Sequence, residues 1–280
     1  MSIRIKRLTG NFAAEINGVN LSEKISTRDF SDIKSAFEEY SILVFPNQPL
    51  TDEQQVVFSQ RFGDLENTIN SKQQGGAGKP VTVLTNVGKN GEVIAPEDRR
   101  MVFNTGNQMW HTDSSFKPIP AMMSLLSGRE VPSEGGETEF ASMRAAYEDL
   151  DNDQKSELEH LICVHDFAYS RSLIDTSLLD REDKYELPPV RQAMIRKNPT
   201  NQRKNLFLGA HASYIDGWPL EKGRTLIKRL NKHITNCKYI YKHSWKRNDL
   251  VIWDNRCALH RGRPWQRTYR RVMHRTTVVG

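Results

Sequence analysis

Two histidines and one aspartate of this chain have the residue types and spacing of a metal site. His111 and Asp113 are two residues apart, and His260 follows in the C-terminal part of the chain. On an extended segment alternate side chains point to the same side, so His111 and Asp113 can bind one ion. Two imidazoles and one carboxylate form the facial triad of non-haem Fe(II) oxygenases. A His-x-Asp pair alone is a weak signal, and a lone histidine is more often a hydrogen-bonded structural residue. The prediction of a metal site therefore depends on His260 as the third ligand.

Two arginines near the C-terminus have the spacing of a shared cavity. Arg271 and Arg275 are four residues apart, so both point to the same face if the segment is a strand. Two buried guanidinium groups on one face repel each other, and each needs an anion. The spacing predicts a cavity for carboxylate groups. Arg267 and Arg270 are interpreted as solvated.

With these residues the chain resembles the taurine dioxygenase family of Fe(II)/2-oxoglutarate oxygenases, and within it the 2,4-dichlorophenoxyacetate dioxygenase branch. The resemblance extends from about residue 8 to the C-terminus. The matching stretches are NQMWHTDSSF at 107–116, PSEGGETEF at 132–140, MRAAY at 143–147, LGAHAS at 208–213 and WDNRCALHRGR at 253–263.

The resemblance implies an Fe(II)- and 2-oxoglutarate-dependent dioxygenase that releases succinate and CO2 while it hydroxylates a substrate with O2. His111, Asp113 and His260 would be the catalytic iron ligands. Thr138 and Arg271 would bind the distal carboxylate of 2-oxoglutarate, which a planar guanidinium grips in bidentate fashion. Related halogenases lack the carboxylate ligand, so halogenation is not expected here.

On the substrate side, the resemblance assigns Arg275 and Asn107 to the anionic group of a small carboxylate or sulfonate. An aryloxyalkanoate is one candidate, since hydroxylation beside its ether oxygen gives a hemiacetal that collapses to a phenol and an oxoacid. Taurine itself is not expected, because the loop at 62–72 lacks the histidine that helps hold the sulfonate in taurine enzymes. Ile69 and Lys72 are candidates for that wall of the pocket, with simple exposure as the alternative.

The elements that must position these residues are mostly short strands. Strands are predicted at 13–16, 41–45, 81–87, 92–94, 122–126, 138–140, 163–167, 206–208, 239–241, 250–253 and 272–279. Helices are predicted at 27–40 with Thr27 as the N-cap, from the capping box at Thr51 to about Phe62, near 143–161 and at 219–235.

This pattern predicts a mainly β fold with helical insertions, an antiparallel barrel or sandwich. By the resemblance, its core is a double-stranded β-helix (jelly-roll). We expect residues 1–280 to form a single domain. Residues 168–190 are interpreted as an irregular active-site lid or a loop.

Composition narrows the class of protein further. The 280 residues contain 37% hydrophobic residues and three cysteines, and they include no apolar run of membrane-spanning length. The basic N-terminus lacks the apolar stretch of a signal peptide. With no CxxC pair and no membrane segment, a cytoplasmic enzyme is expected, and we also expect a homo-oligomer.

The charge distribution leaves two other function classes open. Residues 191–280 contain 21 Lys and Arg but four Asp and Glu, which could indicate a non-enzymatic nucleic-acid-binding domain. No nucleic-acid-reading motif is present, so the leading hypothesis involves no nucleic acid. A third hypothesis is a cupin-like binding protein with a structural metal, whose removal would unfold the chain.

Overall fold

The computed structural model describes residues 3–10, 12–67, 79–179 and 186–280, and the fold below refers to these ranges. The strands are β1 (Arg4–Thr9), β2 (Ala13–Asn17), β3 (Ile42–Phe45), β4 (Thr82–Thr85), β5 (Ala121–Glu130), β6 (Thr138–Ser142), β7 (Ile162–His165), β8 (Val190–Ala193), β9 (Ile195–Lys197), β10 (Lys204–Leu206), β11 (Ala212–Ile215), β12 (Ile240–His243), β13 (Leu250–Asp254), β14 (Ala258–Gly262) and β15 (Val272–Val279).

The α-helices are α1 (Thr27–Tyr40), α2 (Asp52–Gln60), α3 (Arg99–Asn104), α4 (Met143–Glu148), α5 (Asn152–Leu158), α6 (Phe167–Ser172) and α7 (Leu220–Ile234). Short 3-10 helices occupy Thr105–Gln108 and Cys237–Tyr239. None of the helices in the described ranges is long and apolar enough to cross a membrane.

Two sheets position the candidate site. In the described ranges the larger sheet has the strand order β1-β2-β3-β13-β5-β15-β4, and a smaller sheet has the order β12-β6-β14. Neighbours are antiparallel except for the parallel pair of β2 and β3. A bridge between His111 and His260 attaches the chain before β5 to the edge strand β14. The predicted mainly β class with helical insertions is confirmed.

The core between these sheets explains why the central strands are so apolar. Val44 of β3, Leu126 of β5, Phe140 of β6, Trp253 of β13 and Met273 of β15 belong to one buried cluster. All five residues of β13 are buried, because this strand lies inside the larger sheet. Burial of each large apolar side chain contributes roughly 1.5–3 kcal/mol, so this core fixes the two sheets that carry the site.

The N-terminal elements differ from the prediction. The expected strand at 13–16 is β2, but its antiparallel partner is the preceding β1, through a turn at Gly10. The Asn17-Gly18 pair closes no hairpin, and β2 continues instead to a parallel neighbour. The sequence reading missed β1 because this edge strand is largely exposed and has no apolar face. Helix α1 has the predicted bounds, but Ser26, and not Thr27, is its N-cap and accepts a hydrogen bond from Asp29 N.

Other boundaries moved where a capping residue intervenes. The capping box at Thr51 begins α2 as predicted, although the helix ends at Gln60. The helix predicted near 143–161 is two helices, since a second capping box at Asp151 begins α5. The strand predicted at 163–167 ends at His165, because Asp166 caps α6. At 92–94 there is no strand, only the bridge between Val87 and Val93.

The excursion at 168–190 is more ordered than expected. It begins inside α6, where Ser170 and Arg171 are buried, and it ends at β8. Residues 180–185 lie outside the described residues, so the prediction of an active-site lid stays a prediction.

Candidate metal centre

The three predicted ligands come from two separate parts of the fold and converge. His111 and Asp113 follow the 3-10 helix at 105–108, and His260 lies on β14. One ligand atom from each of these buried side chains lies within 4.8 Å of the other two. His111 Nε2 is 4.0 Å from Asp113 Oδ1, and His260 Nε2 is 3.7 Å from Asp113 Oδ2. Within the described part of the chain, these three residues form the one group of three or more His, Cys, Asp or Glu side chains that could hold a metal ion.

Burial and hydrogen bonding set the charge state that a metal needs. Burial lowers the pKa of His111 and, more strongly, the pKa of His260, which favours the neutral form of both rings. His111 Nδ1 is 2.7 Å from Met109 O, which fixes the tautomer and leaves Nε2 as the ligand atom. Burial alone would raise the pKa of Asp113, but the Arg275 guanidinium, the two neighbouring histidines and the Ser124 hydrogen bond together outweigh it and keep the carboxylate ionised. The donor set therefore fits Fe(II).

A network of outer hydrogen bonds orients Asp113. Ser124 Oγ on β5 donates to Asp113 Oδ2 at 2.6 Å. Asn255 donates from Nδ2 to Ser124 Oγ at 2.9 Å, and its Oδ1 accepts from Asp113 N at 3.2 Å and from Trp253 Nε1 at 2.9 Å. All members of this network are buried. Such partners hold a ligand in place.

We expect Ser124→Ala to weaken metal binding about 10-fold or more, because loss of an outer-shell partner typically costs 10–100-fold in affinity. Ser127→Ala is the matched control, since Ser127 lies on the same strand and its buried hydroxyl has no hydrogen-bond partner in the described structure. Titration of the apoprotein with Fe(II) or Mn(II) measures both variants. Equal metal affinities for the two variants would contradict a role of Ser124 in holding Asp113.

A glycine is required behind His111. Gly209 has φ +123°, and a Cβ built there would lie 3.3 Å from His111 Cα and 3.0 Å from Leu259 Cδ2. The loop can therefore pack against both ligand-bearing segments only without a side chain at this position. This explains the glycine of the LGAHAS stretch physically.

A first cavity, of about 750 Å3, opens from the metal ligands towards the C-terminal arginines. Thr138 and Arg271 line it together with His111 and His260. Thr138 Oγ1 accepts from Trp245 Nε1 at 2.9 Å, so its own proton can be donated into the cavity.

The Arg271 side chain is built to hold an anion. Burial lowers its pKa to about 10, and its Nε has no hydrogen-bond partner in the described structure. Asn86 holds the backbone of Arg271 in place, since Arg271 N donates to Asn86 Oδ1 at 2.7 Å. Arg271 Nη2 donates one long hydrogen bond, 3.4 Å, to Gly136 O, and the guanidinium carbon lies 5.1 Å from the Trp265 ring centroid. The donors of Arg271 and Thr138 fit a carboxylate group.

The expectation that both Arg267 and Arg270 are solvated holds for only one of them. Arg270 is exposed and bonds Glu130. Arg267, which we expected to be solvated, lines the first cavity and lies over the ring of Trp265, 4.3 Å from its centroid. The segment before β15 is not extended, so simple alternation does not apply there.

A second cavity, of about 590 Å3, also borders the ligands and contains the predicted substrate residues. His111 and Asp113 line it, as do Asn107 and Arg275, which also reach the first cavity. Arg275 Nη1 donates to Asp113 Oδ1 at 2.7 Å. The Arg275 cation is therefore shared between a ligand and the cavity. Ile69 and Lys72 fall outside the described residues.

Sequence reasoning missed two residues of the second cavity. Arg171 is buried on α6, in the segment interpreted as a polar excursion, and no short motif marks it. A lone histidine is more often a structural residue, but His211 lines the cavity with its Nδ1 unpartnered among the described residues. The matched LGAHAS stretch was the available signal for His211.

Several other histidines have the structural partners that the sequence analysis expected. His165 Nδ1 is 3.0 Å from Ser115 Oγ, and His233 Nε2 is 2.8 Å from Ala146 O. His274 Nδ1 is 2.6 Å from an Asp52 carboxylate oxygen.

Comparison with known proteins places this geometry in context. The model of the family "Taurine catabolism dioxygenase TauD, TfdA family" matches residues 4–277. The chain is 39% identical over 283 residues to the alpha-ketoglutarate-dependent 2,4-dichlorophenoxyacetate dioxygenase of Burkholderia sp. (strain RASC), covering 100% of this chain and 95% of that protein. It is 34% identical to the (S)-phenoxypropionate/alpha-ketoglutarate-dioxygenase of Sphingobium herbicidovorans, covering 99% of this chain and 94% of that protein.

Among solved structures, AAD-2 in complex with Mn(II) and N-oxalylglycine superimposes with a TM-score of 0.92 at 41% identity. The match covers 100% of this chain and 98% of that one. The overall fold of the two proteins is therefore the same, and the predicted jelly-roll core is confirmed.

Proposed function

The chain belongs to the TauD/TfdA dioxygenase family, and from this premise we propose that it hydroxylates a small organic carboxylate in its second cavity. It is an alpha-ketoglutarate-dependent dioxygenase, which uses Fe(II), 2-oxoglutarate and O2. The substrate and the residue roles below are our proposal.

The metal ligands of the proposal are His111, Asp113 and His260. Neutral imidazoles and an ionised carboxylate suit Fe(II), and the three side chains leave the remaining coordination positions to cosubstrates. Bound Fe(II) supplies the O2-dependent oxidation that converts 2-oxoglutarate to succinate and CO2 and hydroxylates the substrate. The protein side chains hold and orient the reactants around this ion.

In the first cavity, Arg271 and Thr138 bind the distal carboxylate of 2-oxoglutarate. The unpartnered Nε of Arg271 and the free proton of Thr138 are donors for that group. Because the Nε of the part-buried Arg271 is shielded from solvent, its interaction with a carboxylate is screened less than that of an exposed ion pair. This anchor directs the keto acid end of the cosubstrate towards the metal ligands that line the same cavity.

The observation that carries the substrate class is the Arg275 guanidinium in the wall of the second cavity, beside the metal ligands. Arg275 and Asn107 offer N–H donors at its wall, and Arg275 lies within hydrogen-bond distance of Asp113. An organic anion held there lies next to the metal. Phe116 and Phe167 line the same cavity, which favours an organic group with an apolar part.

Aryloxyalkanoates are the class we favour. The relatives described above act, by name, on 2,4-dichlorophenoxyacetate and on (S)-phenoxypropionate. Hydroxylation at the carbon beside the ether oxygen gives a hemiacetal, which collapses to a phenol and an oxoacid. The reaction therefore yields phenol and succinate in equal amounts when it is fully coupled.

A substrate panel tests this proposal. We expect phenoxyacetate and 2-phenoxypropionate to produce phenol and succinate with Fe(II) and 2-oxoglutarate, and neutral phenoxyethanol and taurine to produce far less. Arg275→Met should raise the KM for the carboxylates by about 10-fold or more, since a hydrogen bond to a charged group contributes about 1.5–3 kcal/mol. Absence of iron-dependent turnover across the whole panel of carboxylates would contradict the proposal.

The nucleic-acid-binding alternative finds no support in the structure. Two of the C-terminal arginines, Arg271 and Arg275, line the cavities. Lys228, Arg229 and Lys232 lie on the exposed face of α7, whose other face packs into the core. The basic excess is therefore divided between solvated residues such as those of α7 and the two arginines that we propose as anion anchors in the cavities.

Three further expectations complete the proposal and stay predictions. Residues 1–280 form a single domain, the protein is a homo-oligomer, and it is cytoplasmic. Sedimentation equilibrium measures the oligomeric state directly.

A further inference from the structure

A buried arginine in the second cavity has no acidic partner among the described residues. Arg171 lies in the last turn of α6 and exposes 6% of its surface. No carboxylate lies within 4.0 Å of its guanidinium in the described ranges. A buried cation without a partner is costly unless another group compensates its charge.

The protein holds this guanidinium in place with contacts that leave most of its donors unused. Arg171 Nη1 donates to Phe103 O at 3.2 Å, and the guanidinium carbon lies 4.8 Å and 4.9 Å from the ring centroids of Phe103 and Phe167. Nε has no partner in the described structure. A Cβ at Gly106 would come within 1.7 Å of Nη1, so this glycine makes room for the group.

The other charged groups that line the cavity are already paired. Asp113 accepts from Arg275 at 2.7 Å. Glu66 accepts from Lys117 Nζ at 2.5 Å and from Ser114 Oγ at 2.8 Å. Arg171 is therefore the charged group that the described cavity wall leaves uncompensated.

The ionisation of Arg171 agrees with this geometry. Burial lowers its pKa to about 10, so the side chain is still a cation at neutral pH. A guanidinium has five N–H donors in a planar fork, of which the structure uses one. The remaining donors match the two oxygens of a carboxylate.

We propose that Arg171 binds the carboxylate group of the substrate, alongside Arg275. This inference rests on the proposed function, because it assigns a second anchor to the same substrate. Arg275 already donates one bond to Asp113, so a second guanidinium in the same cavity adds a cation that is not bound to a metal ligand. The rings of Phe116 and Phe167, whose centroids are 4.6 Å apart, provide an apolar wall for the rest of an organic anion.

The test compares a charged ligand with its neutral analogue at equilibrium, without turnover. Calorimetry on the protein loaded with Mn(II) and N-oxalylglycine gives the Kd of phenoxyacetate and of phenoxyethanol. We expect Arg171→Met to raise the Kd of phenoxyacetate about 10- to 100-fold, the usual range for a hydrogen bond to a charged group. The Kd of phenoxyethanol should change less than about 3-fold, because this neutral ligand has no charged group for Arg171 to bind. Arg171→Lys should recover part of the loss, since it keeps the charge but not the fork.

Arg196→Met is the matched control. Arg196 is also partly buried and lies over an aromatic ring, 4.6 Å from the Phe207 centroid, but it lines neither cavity. Its substitution should leave both Kd values unchanged. Equal weakening of both ligands by Arg171→Met, or no weakening, overturns the proposal. If that variant does not fold, an unchanged Kd of phenoxyacetate in Arg171→Lys overturns it. Wild-type protein that fails to bind phenoxyacetate contradicts the proposed substrate class itself, and thus this assignment with it.

Discussion

Replacing His111 by alanine should abolish succinate formation and metal binding together. His111 supplies one of three ligand atoms that lie within 4.8 Å of one another, and its Nδ1 contact with Met109 O aims Nε2 at the site. We expect a loss larger than the roughly 100-fold that marks the upper end for outer-shell partners, because a first ligand is removed. Fe(II)-dependent succinate release from 2-oxoglutarate and the Kd of Mn(II) measure the two effects.

His233→Ala is the control for this substitution. His233 Nε2 is 2.8 Å from Ala146 O on α4 and lines neither cavity, so its loss should leave metal binding unchanged. Thermal unfolding separates a catalytic from a structural metal. If removal of the metal unfolds the protein, the centre acts as a structural clip. A folded but inactive His111→Ala variant agrees with the catalytic assignment, and a variant with wild-type metal affinity would contradict it.

Replacing Arg271 by methionine should raise the KM for 2-oxoglutarate at least about 30-fold. Truncating one partner of a buried, hydrogen-bonded charge pair costs about 2–5 kcal/mol, and about 1.4 kcal/mol corresponds to a factor of ten. Methionine keeps much of the apolar stem of arginine, so packing against Trp265 changes less than the charge does. We expect the Kd of N-oxalylglycine, whose two carboxylates correspond to those of 2-oxoglutarate, to rise by a similar factor.

Arg270→Met is the matched control, since the two arginines are adjacent in sequence and differ in environment. Arg270 is exposed and paired with Glu130, whereas Arg271 is part-buried and its buried Nε lacks a hydrogen-bond partner in the described ranges. The control should leave the KM for 2-oxoglutarate within about 2-fold of the wild-type value, because exposed ion pairs contribute about 0–1 kcal/mol. If both variants raise the KM equally, the effect comes from the net charge of the region, and Arg271 is not the anchor.

The position of the site follows from the topology of the two sheets. His260 lies on an edge strand of the smaller sheet, and His111 pairs with it through an isolated β-bridge. Ser124 of β5, in the larger sheet, bonds Asp113. The ligands therefore lie where both sheets contribute, and β15 brings Arg275 to the same place from the larger sheet. A rigid core supports each of these strands, which suits a site that must hold two small molecules and one ion.

Much of this site could be predicted from the sequence, because the informative residues are close together in the chain or form ordered motifs. A His-x-Asp pair, a distant histidine and two arginines four residues apart determine their own local geometry, since extended backbone puts alternate residues on one face. Buried strands such as β3 and β13 are likewise marked by their apolar runs.

The remaining features required the tertiary structure, because they depend on contacts between segments that are far apart in the chain. The exposed edge strand β1 has no apolar pattern, and Arg267 faces a cavity that alternation does not predict. Ser124 and Asn255 are ordinary polar residues until the fold brings them to Asp113. Arg171 becomes significant only because the fold buries its guanidinium without an acid, and burial and pairing of a charge are properties of the assembled chain.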